Sequence, residues 1–438
     1  MSKRDSLVYR SLILASSNVL LQLMAFAFRV VLSRLAGAEG MGVNALAMQA
    51  YSVLYALCIS GMNVAVTTLS ARYYAKSGVA GVRKLVRLAT CVFLALLAAF
   101  TVPLLSFRDS VAQHLLGDLR TSAALWLIPI CIMLTGFENV LKSSYYGMGG
   151  VKKAAVSELI EQCIRYCLVI MLLYFANTPD NGEKAFLMVL GMTLSEVFSV
   201  TFLGVSFRRK CNSELSHISR DAVSLRKYAD IALPSTLTAL SATVLSSAST
   251  VVFPLRLVVA GFSESDAIAA LGIISGMLEP MLALPMAFVA AMSTVLLPSI
   301  SGCSAAGDMR GVRRKTKKAL LVSGALAVAV AAIVAFAPQL SRLLFAQDAP
   351  LLLAALLGAK TVVNFFLLVT TSVLNGIYEH KKVLAYSVIS EALQLALIWY
   401  LTAVPQLNVF GYVAALIVGD ALRLTLNGMR VHRMTRDK

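Results

Sequence analysis

The chain has 438 residues, of which 58% are hydrophobic and only 14% charged, and its mean hydropathy is +0.79. A soluble globular domain carries about 25% charged residues, so this composition excludes a soluble enzyme or binding module and points to an all-α, polytopic membrane protein. The net charge of +17 would suggest nucleic acid as a partner of a soluble chain. Here the basic residues sit in short loops between apolar spans, where membrane topology accounts for them and no nucleic acid is expected.

The chain opens on MSKRDSLVYRSLILASSNVLLQ, a basic segment followed by an apolar one. The apolar run continues to Ala36, too long for a cleaved signal peptide, and reads as a retained first span. A crossing helix needs about 20 apolar residues. On that criterion twelve spans follow one another at 9–36, 43–69, 85–107, 121–146, 154–176, 184–207, 229–260, 267–300, 318–344, 350–376, 383–404 and 408–430. Lysine and arginine alternate between the two sets of loops, 29 on one side and five on the other, Lys142 being counted with the first set. The positive-inside rule then predicts both termini in the cytoplasm and a plasma-membrane location.

Most of the eighth span falls in the stretch Ala269–Ser301, which carries a single acid, Glu279, and the prolines Pro280, Pro285 and Pro298. Proline removes a helical hydrogen bond, and in lipid such breaks persist where protein or a cavity satisfies the backbone. Pro280 and Pro285 are the predicted hinge of a bendable, inward-facing helix.

The halves repeat at an offset near 230. Ser77-Gly-Val-Ala-Gly-Val-Arg-Lys has its counterpart in Ala306-Gly-Asp-Met-Arg-Gly-Val-Arg-Arg, and Gly147 with Lys152 and Lys153 in Gly376 with Lys381 and Lys382. Ser157…Glu161 is echoed by Ser387…Glu391. Six spans per repeat make the repeats parallel, a transporter architecture. The expected organisation is a six-helix lobe at 1–207, a basic cytoplasmic linker at 208–228 and a second six-helix lobe at 229–438. The seven cysteines lie mostly in apolar spans, and Cys163 and Cys167, at i, i+4, read as packing residues. No phosphate-binding GxxxxGK[ST] loop, catalytic triad or metal-ligand spacing is present. Neither an enzyme nor a cofactor nor a metal is expected.

Several stretches resemble one family. RVVLSRLAGAEGMG (Arg29 to Gly42), SGMNVAVTTLSARYYA (Ser60 to Ala75), Tyr145-Tyr-Gly-Met-Gly and AVSELIEQCIRY (Ala155 to Tyr166) are similar to the stage V sporulation protein B-like polysaccharide exporters. SGMLEPMLALP and STVLLPSIS continue the match. That group shares a superfamily with lipid II flippases and multidrug-and-toxin extruders. The resemblance implies two lobes around a central cavity, with alternating access for a polyprenyl-diphosphate-linked saccharide. Where the group usually places an arginine, this chain has Gln22. Where lipid II flippases place one in the eighth helix, it has Pro280.

Polar residues inside spans are functional candidates by default. Arg29 lies nineteen residues beyond Arg10, in the outer half of the membrane at ~1.5 Å per residue; its guanidinium would suit a diphosphate, and the alternative is a structural pair. Glu279, near the midplane, would carry a proton, neutralise Arg29 or contact substrate. Arg256 and Asn63, with Gln22, complete the substrate candidates. Glu158, Glu161, Gln162 and Arg165 fall on one helical stripe, as do Asp420, Arg423 and Asn427, spacings that favour charge-cancelling pairs within a helix. Glu138, Glu196, Lys360 and Glu391 are scattered singles. Gly61 and Gly276, preceding similar motifs, are expected to permit close helix packing.

Two readings of function follow. The first is a flippase that moves a lipid-linked saccharide to the outer leaflet, working as a monomer and beside a polymerase. The second is a proton- or sodium-coupled multidrug or metabolite exporter; the first helix, which has Arg29 and no acid, favours anionic cargo.

Overall fold

In the computed structural model, residues 7–213 and 224–436 are described. Arg220 of the expected linker, Lys3 and Arg4 at one end and Lys438 at the other lie outside them. In chain order the helices are α1 (Leu7–Tyr55), α2 (Gly61–Ser106), α3 (Arg108–Ser110), α4 (Ser122–Gly147), α5 (Val151–Ala176), α6 (Asn181–Ser213), α7 (Leu225–Val259) and α8 (Glu264–Leu271). They continue as α9 (Glu279–Leu282), α10 (Met286–Ala305), α11 (Met309–Ala335), α12 (Ala337–Phe345), α13 (Leu351–Gly376), α14 (His380–Leu401) and α15 (Asn408–Arg436). Among the described residues no strand occurs, and eleven helical stretches are long and apolar enough to cross a membrane.

The first of these, Val19–Ser106, holds three crossings. It is broken at Gly37 (φ 76°, ψ 172°) and at Gly78 (φ 59°, ψ −153°), backbone conformations open essentially to glycine alone. Conversely, Glu264–Leu282 and Met286–Ser304 are one interrupted crossing. Between them the chain keeps turning, Met286 N donating to Ala283 O at 2.9 Å and Ala287 N to Leu284 O at 3.3 Å. Twelve crossings result, as the sequence predicts.

The turns repeat as the sequence does. Left-handed residues recur in pairs at Gly37 and Gly261, Gly78 and Gly307, Gly117 and Ala346, Gly149 and Tyr378, and Asn177 and Asn408. Each pair closes the same connection in the two halves. Local caps fix other ends: the Ser263 hydroxyl accepts from Asp266 N at 3.1 Å, and the Asp308 carboxylate from Gly311 N at 2.7 Å, satisfying orphan amides of α8 and α11.

The chain forms two compact units, Val43–Ser247 and Met1–Gly42 together with Ala248–Lys438. Their bounds differ from the lobes expected at 1–207 and 229–438. The first part of α1 packs with the second repeat, and the first part of α7 with the first repeat. Glycines explain both placements. A Cβ on Gly61 would sit 2.1 Å from Thr236 Oγ1 and 2.2 Å from Ala232 O on α7. In the other unit a Cβ on Gly272 would sit 1.9 Å from Ala38 O, and one on Gly276 would sit 2.8 Å from Met41 Cε. Gly61 and Gly276 therefore permit the close approach predicted for them. In the first unit, Val79, Val82, Tyr145, Ala154, Leu203, Phe207 and Cys211 form a core beside the Gly78 break of α2 and at the ends of α4, α5 and α6.

Candidate functional site

In the unit Val43–Ser247, a charged network is buried between α4, α5 and α6. Lys142 on α4 lies 2.7 Å from the Glu138 carboxylate one turn earlier, 3.8 Å from Glu158 and 3.9 Å from Glu161. Arg165 pairs with Glu161 on its own helix and reaches Glu196 on α6 at 2.9 Å. Serines complete the shell: Ser199 Oγ donates to Glu138 at 2.7 Å, Ser157 and Ser199 hydroxyls lie 3.1 Å apart, and Arg165 Nε donates to Ser195 Oγ at 3.2 Å. Glu138, Glu161 and Glu196 are each 2% exposed.

Isolated charges cost several kcal/mol on burial, so the polar stripe of each helix turns toward the other two. Glu138, Glu161 and Glu196 bring carboxylate oxygens within 4.8 Å of one another, a spacing that would suit a metal ion. Lys142 and Arg165 already supply cations to all three. Four carboxylates face two cations, and the Oε2 of Glu196 is buried without a hydrogen-bond partner among the described residues.

Beside this network lies a neutral polar layer. Asn63 Nδ2 donates to Asn139 Oδ1 at 3.0 Å and to Tyr55 Oη at 3.2 Å, and Asn63 Oδ1 accepts from Ser143 Oγ at 3.2 Å. Asn63 follows a π-helical turn, Ala56–Ser60. The second repeat has a π-helical turn at the matching place, Gly272–Leu278, directly before Glu279. Such turns inside α-helices mark functional positions.

In the other unit the first helix meets that second turn. Arg29 is exposed, and its Nη1 donates to the main-chain oxygen of Ser275 at 3.1 Å. Gln22, two turns earlier on the same helix, is exposed as well. Glu279, one turn beyond Ser275, forms an ion pair with Lys360 of α13. Asp420 lies on α15 one turn before Arg423, Arg423 lies 3.7 Å from Glu391 on α14, and Asn427 Nδ2 donates to Thr371 at 3.1 Å. Arg256 Nε donates to Trp399 O at 2.8 Å, with the guanidinium 4.4 Å above the indole ring, a cation–π anchor. Pro280 opens the short helix α9 and Pro285 precedes α10, so the expected hinge coincides with the interruption of the eighth crossing.

Several expectations change. The stripes on α5 and α15 hold charges that pair between helices as well as within one, because residues sharing a face share its neighbour. Glu138, Glu196, Lys360 and Glu391 are not scattered singles but members of these networks. Lys142 is not a loop cation: its side chain is 13% exposed. The i, i+4 spacing of Glu138 and Lys142 was the signal for that pair. Nothing in the sequence links Glu196 to Arg165, thirty-one positions away. Cys163 and Cys167 are exposed rather than packed inside.

Residues 14–175 match the family described as MatE. Beyond that stretch the similarity continues: the chain is similar to Stage V sporulation protein B of Bacillus subtilis, 24% identical over 97% of this chain and 83% of that protein. Sporulation protein YkvU of Bacillus subtilis is 20% identical over 92% of this chain and 90% of its own length. Solved structures share the fold. An inward-facing multidrug resistance MATE family transporter of the MOP superfamily superposes with a TM-score of 0.73 at 17% identity, covering 96% of this chain and 98% of that one. A MOP superfamily transporter from Pyrococcus furiosus, described as having a binding pocket of reversed polarity, superposes at 0.65 with 16% identity, covering 98% and 96%. The chain thus shares the fold of solved MATE transporters and is built of helices long and apolar enough to cross a membrane many times.

Proposed function

We propose that this protein is a flippase for a polyprenyl-diphosphate-linked saccharide, carrying the headgroup from the inner to the outer leaflet of the plasma membrane with both termini cytoplasmic. The observation that supports it best is Arg29, an exposed guanidinium in an apolar helix, anchored through Nη1 on the Ser275 carbonyl at 3.1 Å. A cation held there by backbone suits diphosphate oxygens, which take charge-assisted bonds from a guanidinium fork. Gln22, two turns away on the same helix, supplies a neutral polar contact. The π-helical turn, Pro280 and Pro285 give the eighth crossing its bend during alternating access. A polymerase acting nearby would take up the translocated headgroup.

The test is headgroup translocation in proteoliposomes with a labelled polyprenyl-diphosphate oligosaccharide. Protein-dependent movement that Arg29→Ala abolishes supports the reading. Absence of movement with several such lipids overturns it.

One observation favours a second reading, an exporter driven by protons or sodium. Glu138, Glu158, Glu161 and Glu196 outnumber Lys142 and Arg165, so this network has carboxylate oxygens to spare for a transported cation or proton. Dye efflux under an imposed gradient, lost in Glu196→Gln, would establish it.

A further inference from the structure

The turn between α4 and α5 is built for an anion. α4 ends at Gly147 and the chain reverses through Gly149 (φ 78°) into α5. Gly150 caps α5 without a side-chain bond, and no acid occupies the first turn. Lys152 and Lys153 stand there instead, at the positive end of the helix dipole, where lysine is unfavourable and an anion is stabilised. Around them opens a cavity of ≈ 610 Å³ to which α6 contributes Arg209 and Lys210. Four cations and no acid line it.

The second observation is Tyr145. It forms part of the cavity wall, is 1% exposed, and its hydroxyl is buried without a hydrogen-bond partner among the described residues. Buried hydroxyls are paired in the great majority of cases, and an exception asks for a missing partner. Lys153 Nζ lies 5.9 Å from the centre of the same ring.

The second repeat is an internal control. Gly376, Lys381 and Lys382 there match Gly147, Lys152 and Lys153, and the residue at the position of Gly150 is Glu379. Glu379 accepts from Arg430 of α15 at 2.6 Å. That copy neutralises its own basic turn, whereas the first copy keeps its charge. Topology alone asks only that basic residues lie on this face. It does not require a cavity, an uncapped helix or an orphan hydroxyl.

We infer that the basic cavity at the α4–α5 turn binds a phosphate group, presented as a monoester or diphosphate at the face that carries the basic loops. Lys152 and Arg209 hold the charge, the first amides of α5 bond the oxygens, and Tyr145 donates its hydroxyl. Basic pockets of this kind take anionic lipid headgroups, and free phosphate compounds have the same chemistry. The site is separate from Arg29 and stands whatever the cargo.

The experiment is calorimetric titration of the full-length protein in phosphatidylcholine nanodiscs with pyrophosphate at fixed ionic strength. Saturable binding is expected, weakened at least about tenfold in Lys152→Gln/Arg209→Gln and less in Tyr145→Phe, the scale of losing hydrogen bonds to a charged group. Tyr145→Phe keeps the shape of the core and serves alone should the double variant aggregate. Blocking of pyrophosphate by phosphatidic acid in the nanodisc identifies a lipid headgroup as the occupant, and binding that persists identifies a soluble phosphate compound. No saturable binding of pyrophosphate, or binding that neither variant weakens, overturns the inference.

Discussion

Lys142 and Glu138 form an ion pair at 2.7 Å with side chains 13% and 3% exposed, one turn apart on α4 and enclosed by α5 and α6. Removing one partner of a buried pair leaves the other uncompensated, which costs about 3–5 kcal/mol, whereas removing both is far less harmful. Lys142→Met should therefore lower the thermal unfolding midpoint sharply. The double variant Lys142→Met/Glu138→Gln should recover much of the loss. Additive losses in this double-mutant cycle would show that the two residues do not act as a pair.

Gly61 sits where α2 crosses α7. Its missing Cβ is what lets Thr236 Oγ1 and the Ala232 carbonyl come within 2.1 and 2.2 Å of that position. Gly61→Val forces backbone apart and should cost about 1–3 kcal/mol or more. Gly204→Val on α6 is the control, since nothing lies within 4 Å of a Cβ there. Equal unfolding midpoints for the two variants would dismiss the close-packing role of Gly61.

The architecture was legible because length and hydropathy decide it. Twelve spans, parallel repeats and a broken eighth crossing follow from apolar runs, recurring Gly and Lys positions, and prolines. The glycines at the two SGM motifs carried their packing role in plain view. What the sequence could not show is which helices share a unit. The placement of α1 beside Gly272 and of α7 beside Gly61 depends on interhelical fit, to which hydropathy is blind. The charged networks were hidden for the same reason. Arg165 and Glu161 are visible as an i, i+4 pair, but Glu196 and Lys360 meet their partners only after folding. Lys142, counted as a cytoplasmic cation, was misplaced because a lysine near a span end has the same sequence signature whether it snorkels or pairs.

Gly78 ends the second crossing in a conformation, φ 59° and ψ −153°, that a side chain resists even in open space. Nothing lies within 4 Å of a Cβ built on it, so the restriction is purely one of backbone. Gly78→Ala should cost about 1–3 kcal/mol. Gly302→Ala, in regular helix with equally open surroundings, should be neutral or stabilising by up to about 1 kcal/mol. Paired thermal melts in detergent check both, and a neutral Gly78→Ala would mean that the turn can relax.

Arg29 offers a test that separates recognition from architecture. Its bond to the Ser275 carbonyl ties α1 to the π-helical turn, so a purely structural role predicts that Arg29→Ala lowers the unfolding midpoint and that transport falls only with folded protein. Headgroup recognition predicts a different split. Charge alone attracts a diphosphate, but the planar fork of guanidinium is what makes two parallel bonds to it, and lysine supplies the first without the second. Arg29→Ala should then reduce headgroup movement at least about tenfold, consistent with losing charge-assisted bonds, with the unfolding midpoint little changed. Arg29→Lys should retain an intermediate rate that declines more steeply with added salt than the wild type, because a point charge without directed bonds is screened more completely. Equal loss in the two variants, together with equal loss of thermal stability, would assign Arg29 to the helix contact and leave the headgroup to other residues.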